Sequence, residues 1–233
     1  MGKPGIIREG RWLLETPVQC GLTMACHLTI IDYGMGNIWS IQSALRFLGA
    51  TVEVSNSHAD VSTANALILP GVGSFRKAME ALTKSGLDYA IKETVLDRGR
   101  PILGICLGMQ LFADTGTEDG KSSGLGFIPG SVTRFQPTEH GIFKVPHIGF
   151  NTVTSDQNSR LFEGLPSSSD FYFVHSYRLS LIKRSGHQAT CDYGEKFLAA
   201  FEKDNVFATQ FHPEKSQTNG LWVLKNFLAA CTC

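Results

Sequence analysis

The chain has 233 residues, 42% of them apolar and 18% charged, with lysine plus arginine equal to aspartate plus glutamate at 21 each. That length can bury a sizeable core, and the usage is globular rather than disordered or collagen-like. Zero formal net charge supplies no summed field for nucleic acid or an anionic membrane, so neither is expected as a partner and recognition must work by shape.

Residues 1–26 are the one compositional break. Ile6-Ile7 and Trp12-Leu13-Leu14 are apolar, but Arg8, Glu9, Arg11 and Glu15 interrupt them, so neither a signal h-region nor a membrane span can be drawn. The segment reads as an extension: an appended, poorly ordered tail, or the product of a start codon assigned ahead of Met24. From His27 onward, apolar runs at 27–32, 51–55, 66–70 and 101–106 predict short strands, and periodicities over 38–48, 75–82 and 87–96 predict helices between them. Such alternation implies an α/β fold with an open, mostly parallel sheet flanked by helices. After about Gly116 the texture changes to short strands at 126–128, 131–135, 171–177, 197–202 and 206–211, closed by a helix over about 221–230. The glycine-rich stretch 116–126 is shorter than a flexible interdomain linker, so 27–233 are expected to form one domain with a more β-rich C-terminal half.

Two short motifs carry chemistry. Gly104-Ile105-Cys106-Leu107-Gly108 follows the apolar run Pro101-Ile102-Leu103, and a glycine on either side of a nucleophile suits the strained strand-to-helix turn of a nucleophile elbow. The helix start after it, at Leu107, and a nearby imidazolium favour the thiolate form of Cys106, the form that attacks carbonyls. Far downstream, Gln210-Phe211-His212-Pro213-Glu214 closes another strand-like run. In extended chain, residues two apart point to the same side, so Glu214 can orient His212 while His212 serves as base. A lone Gly-x-Cys-x-Gly also fits a small buried cysteine, and His-Pro-Glu alone says less; both at strand ends in one α/β chain point to a Cys106-His212-Glu214 acyl-transfer triad.

An attack on an amide builds charge on the carbonyl oxygen, which fixed donors must meet. Pro70-Gly71-Val72-Gly73 follows the third predicted strand. It is either an ordinary strand-end turn or the source of a backbone N–H, that of Val72, opposite the N–H of Leu107. The six cysteines show no Cys-x-x-Cys pair and no framework spacing, and His27, His58, His140, His147, His175 and His187 show no metal-ligand spacing. Neither a metal nor another cofactor is expected, and a reducing cytoplasm is the default compartment.

Gly104-Ile105-Cys106-Leu107-Gly108-Met109-Gln110 and Phe211-His212-Pro213-Glu214-Lys215-Ser216 resemble the nucleophile and His-Glu motifs of class I (triad) glutamine amidotransferases, a group with a flavodoxin-like core. Within that group, the chain from about His27 onward is similar to the glutaminase subunits of imidazole glycerol phosphate synthases. The likeness runs through Ile31-Asp32-Tyr33-Gly34-Met35-Gly36-Asn37, Leu69-Pro70-Gly71-Val72-Gly73, Pro146-His147-Ile148-Gly149-Phe150-Asn151 and Tyr172-Phe173-Val174-His175-Ser176-Tyr177.

The resemblance implies hydrolysis of glutamine to glutamate and ammonia. The ammonia would be channelled to a (β/α)8-barrel cyclase subunit, docked as a heterodimer, that makes imidazole glycerol phosphate and AICAR in histidine biosynthesis. It implies that Gly73, Gln110 and Glu118 line the glutamine pocket with backbone groups of His175, Ser176 and Tyr177, and that Glu118 meets the α-ammonium. From sequence alone Glu118 is equally a solvated carboxylate beside Asp119. Asn37, Phe150, Tyr172 and Lys215 match positions facing or gating the partner, although a core aromatic or a solvated lysine reads as well there. Where relatives often carry tryptophan this chain has Phe150, which keeps an apolar plug without an indole donor. Three other readings stay open: a paralogous glutaminase feeding a surface-sugar amidotransferase, a free-standing thiol or γ-glutamyl hydrolase, and a binding module with a vestigial site.

Overall fold

A computed structural model of the chain describes residues 27–136, 144–181 and 185–231. The expectations for residues 1–26, His140 and Cys233 fall outside that set. The first half alternates as its periodicities require: β1 (His27–Ile31), α1 (Ile38–Phe47), β2 (Thr51–Ser55), α2 (His58–Thr63), β3 (Ala66–Leu69), α3 (Phe75–Ser85), α4 (Leu87–Lys92), a π-helical turn (Glu93–Asp97), β4 (Ile102–Ile105) and α5 (Leu107–Leu111). The second half is β5 (Ala113–Gly116), β6 (Ser122–Ser123), β7 (Ile128–Arg134), β8 (His147–Thr154), a 3-10 turn (Arg160–Phe162), β9 (Ser168–His175), β10 (Tyr177–Leu181), β11 (His187–Tyr193), β12 (Glu195–Lys203), β13 (Val206–Thr209), a second 3-10 turn (Pro213–Lys215) and α6 (Gln217–Ala230).

A nine-stranded sheet runs in the order β2-β1-β3-β4-β13-β12-β11-β8-β9. The first five strands pair in parallel, while β12, β11, β8 and β9 extend the sheet antiparallel. The parallel part is covered on both faces, so β3, β4 and β13 are buried at every residue and read as unbroken apolar runs. Along β3, Ala66 and Ile68 pack with Ile41 and Leu45 of α1 and with Val223 and Phe227 of α6, whereas Leu67 and Leu69 pack with Phe75, Leu82 and Ile91 of α3 and α4. The period of two in side-chain direction thus divides one strand between two cores. No helix among the described residues is long and apolar enough to cross a membrane.

The second half departs from its sequence reading in three places. The runs 126–128 and 131–135 are one strand, β7, in a four-stranded sheet ordered β10-β7-β5-β6. Part of the expected loop 116–126 supplies β6 and the end of β5 to that sheet. The run 171–177 is two strands: β9 belongs to the large sheet, the chain breaks at Ser176, and β10 crosses to pair with β7. That break brings three backbone units to the carboxyl ends of the parallel strands, where open α/β sheets bind ligands.

Candidate active site

Cys106 stands directly after β4, with φ 55° and ψ −107°, and α5 begins at Leu107. Positive φ in a non-glycine residue is strain that the surroundings must hold in place. The flanking glycines were expected to supply the sharp turn, yet Cys106 takes the left-handed conformation itself. Gly104 and Gly108 serve close approach instead. A Cβ on Gly104 would lie 2.7 Å from the Phe112 ring and 2.8 Å from the backbone of Met109, and one on Gly108 would collide with Leu69 O at the end of β3. The turn is locked at its base, where the Cys106 N–H donates to Thr209 O at 2.7 Å.

His212 follows β13 and is equally fixed. Its N–H donates to Tyr172 O at 2.9 Å, and Ser216 Oγ donates to His212 O at 2.6 Å while accepting from Tyr172 N. His212 Nδ1 lies 2.8 Å from Glu214 Oε1, with both side chains buried. The two meet across the 3-10 turn at Pro213, not along extended chain as the spacing suggested. Burial opposes a charge on the imidazole, but the Cys106 sulfur and the Glu214 carboxylate outweigh it and push the His212 pKa up to about 10. Nε2 is buried and makes no aligned hydrogen bond among the described residues, as would suit a ring atom that exchanges a proton with the neighbouring sulfur.

Beside the sulfur opens a cavity of about 430 Å³, lined among others by Val72, Gly73, Gln110, Glu118, His175 and Tyr177. Every residue expected to form a glutamine pocket therefore borders one space with Cys106. Glu118 is not a solvated carboxylate: its Oε2 accepts from the Phe75 N–H at 3.0 Å, capping the start of α3, and burial raises its pKa. Gln110 is buried, with Nε2 donating to Tyr177 O at 2.8 Å and to Gln210 Oε1 at 3.0 Å.

The Pro70–Gly73 segment lies against the elbow, since a Cβ on Gly71 would fall 2.8 Å from Leu107 Cβ. Its Val72 N–H donates to Met35 O at 3.2 Å, so in this conformation that donor is turned to the loop after β1 and not to the cavity. Tyr33 Oη donates to Pro70 O at 3.0 Å and holds the same loop from below.

Phe150 and Tyr172 meet edge to face across β8 and β9 with ring centroids 5.5 Å apart, and Lys215 Nζ lies 6.0 Å from the Tyr172 ring centre. Phe150 is 47% exposed. Tyr172 is not a core aromatic: in β9 its neighbours Phe171 and Phe173 face inward and it faces outward. Asn37 precedes α1, with its amide engaged by Ser40, and α1 packs on the turn that carries Lys215. Trp39, in the first turn of α1, is 76% exposed.

Four residues of this region escaped the sequence reading. Gln210 directs Nε2 at the Cys106 sulfur at 3.8 Å. Ser74 lines the cavity with a buried hydroxyl that has no partner among the described residues. Pro146, joined to Val145 by a cis peptide, borders it as well. His147 lies behind His175, with Nδ1 to Nε2 at 3.1 Å. Gln210 left a signal as an amide near the end of the run 206–211, and Pro146 and His147 as the start of the motif 146–151, whereas Ser74 left none.

The family profile described as glutamine amidotransferase class-I matches residues 29–231. The chain is 46% identical over 201 residues to imidazole glycerol phosphate synthase subunit HisH 1 of Campylobacter jejuni strain RM1221, covering 86% of this chain and 98% of that protein. It is 48% identical over 200 residues to the HisH subunit of Moorella thermoacetica, covering 86% and 93%. A crystal structure of a glutamine amidotransferase superposes with a TM-score of 0.68 at 17% identity, covering 88% of this chain and 99% of that one, a likeness of fold. The chain belongs to the class-I glutamine amidotransferases, within the group of the HisH subunits.

Proposed function

We propose that the chain is the glutaminase subunit of an imidazole glycerol phosphate synthase, with Cys106 as nucleophile, His212 as proton carrier and Glu214 as its orienting carboxylate. The observation that carries the reading is one buried Cys106-His212-Glu214 constellation whose sulfur borders the cavity shared with Gln110 and Glu118. Cys106 Sγ attacks the side-chain carbonyl carbon of glutamine, forming a C–S bond as the π pair moves to oxygen. When that pair returns, the C–N bond breaks, and the His212 imidazolium gives its proton to the departing nitrogen, which leaves as ammonia. Water, giving its proton to His212, then attacks the thioester; glutamate leaves and Sγ recovers a proton. Glu118, on the cavity wall, suits the α-ammonium, and the backbone at the β9–β10 break suits the α-carboxylate. The Leu107 N–H, an orphan donor at a helix start, is one half of the oxyanion site, and the Val72 N–H is the other once it leaves Met35 O.

The rim of Asn37, Phe150, Tyr172 and Lys215 is the surface on which a (β/α)8-barrel cyclase subunit docks and receives ammonia, in a cytoplasmic heterodimer of histidine biosynthesis. The HisH names of the relatives favour this partner over a sugar amidotransferase, and the exposed aromatic rim favours a docked subunit over a free-standing hydrolase. The test is Cys106→Ser in the assembled complex. Glutamine-dependent synthesis should fall by about 1,000-fold or more while synthesis from added ammonium salt persists. Glutamate release that survives in this variant excludes Cys106 as the nucleophile.

A further inference from the structure

Gln210 is fully buried between β13 and His212, and its side chain spans from Gln110 to the nucleophile. Carboxamide ends look alike, so their orientation has to be earned from the partners. Tyr177 O can only accept, which fixes the NH2 group of Gln110 toward it at 2.8 Å. The second hydrogen of that group points at Gln210, 3.0 Å away, where it must meet an oxygen. The NH2 group of Gln210 is therefore the end that faces Cys106 Sγ at 3.8 Å.

The anchor at Tyr177 O is itself fixed. Its other donor is His175 Nδ1 at 2.8 Å, so the neutral His175 ring must accept at Nε2, from His147 Nδ1 at 3.1 Å. His147 Nε2 in turn accepts from the Asn151 amide at 2.6 Å. Both rings are neutral, in keeping with the lowering of their pKa values by burial. The direction of every hydrogen bond from Asn151 on β8 to the sulfur follows from one carbonyl that cannot donate.

We propose that Gln210 is a further catalytic residue of this site: a rigid N–H donor that holds the Cys106 sulfur and favours its thiolate. Val174 O is an acceptor 3.9 Å from the same Sγ. The thiol can thus donate to Val174 O. When its proton passes to His212 Nε2, the S–H bond breaking as the N–H bond forms, the thiolate accepts from Gln210. The proposal rests on the assignment of Cys106 as nucleophile and adds what keeps it charged and aimed.

The test uses the full chain and follows alkylation of Cys106 by iodoacetamide as a function of pH, read on the Cys106 peptide by mass spectrometry. Gln210→Glu keeps the shape and an acceptor for Gln110 but replaces the donor by a carboxylate, and Gln210→Met removes the donor without adding charge. The alkylation midpoint should rise by about one pH unit or more in Gln210→Glu and by less in Gln210→Met. Glutaminase turnover in the complex should fall about tenfold or more in kcat, with KM changed little. In the wild-type chain, the side-chain amide NMR resonance of Gln210 should titrate with the alkylation midpoint, a reading that needs no variant to fold. An unchanged midpoint in the variants, or a Gln210 resonance that does not titrate, overturns the proposal and leaves a packing residue. Alkylation does not require turnover, so this outcome is distinguishable from a failure of the glutaminase reading under Cys106→Ser.

Discussion

The two loops that face Cys106 are built in opposite ways. The His212 side is assembled: its backbone is tied to Tyr172 and Ser216, its imidazole to Glu214, and both of these side chains are buried. The Pro70–Gly73 side is not. Val72 is 45% exposed, Gly73 sits at φ 103°, and the Val72 N–H is spent on Met35 O. On the proposed roles, Cys106 and His212 stand ready while one of the two oxyanion donors, the Val72 N–H, is turned away. If those roles hold, the population of one peptide orientation, rather than the triad, limits catalysis.

The largest effect this contrast predicts is activation by the partner. A competent Val72 conformation populated at ~1% costs about 2.7 kcal/mol, and a partner that favours it can recover up to ~100-fold in rate. Glutamate release should therefore be nearly idle in the purified chain and rise on adding the cyclase subunit, most of all with its acceptor substrate present. A lone chain that already runs at the full rate would remove the distinction between the two loops and favour a free-standing hydrolase.

A smaller loss should come from Glu214→Gln, which perturbs the assembled side alone. The amide oxygen can still accept from His212 Nδ1, now seen at 2.8 Å, but the carboxylate charge that helps raise the imidazole pKa is gone. Turnover of the complex should drop by about 10- to 100-fold, less than for loss of the nucleophile, since in the proposed role this group orients and does not transfer a proton. The ratio of complexed to isolated rates should stay as in the wild type. If that ratio collapses with Glu214→Gln, the two sides are coupled and the contrast is wrong.

The assembled side was also the more legible in sequence, for a physical reason. Cys106 and the His212-Pro213-Glu214 turn sit at the ends of β4 and β13, which are buried on both faces and show as apolar runs with the chemistry at their ends. Strands β8 and β11 left no such trace. They hold His147, Asn151, Gln188 and Asp192, so no unbroken apolar run marks them, and the pairing that joins them to each other, Thr190 with Thr154 and Cys191 with Val153, spans the chain between. The break at Ser176 has neither glycine nor proline, because the chain changes sheets there by pairing with β7, which no local propensity encodes. The hydrogen bond that turns Val72 away joins two loops through their backbones, so side-chain identity carries no record of it.

The smallest effect expected lies in acid and falls on the histidines behind the substrate cavity. Burial lowers His147 from 6.5 to about 4, and burial, with the neighbouring His147 and His212, lowers His175 to about 3. Below about pH 6.5 the unfolded chain takes up protons that the folded chain refuses until about pH 4, so stability falls as pH is lowered through that window. Above it both rings are neutral in both states and contribute no slope. His212 works in the opposite sense: with its pKa raised to about 10, its stabilisation is complete below about 6.5 and is lost as pH climbs toward 10. Carboxylates add their own acid slope, so the measurement must be differential. Between about pH 7 and pH 4.5 the wild type should lose on the order of 5 °C more in melting temperature than His147→Gln, which has no ring to protonate at that position. Equal losses in the two chains would mean that the buried histidine pair already accommodates a proton. The one-way hydrogen-bond order from Asn151 to Tyr177 O would then not hold, and the cavity wall would be as adaptable as the loop across from it.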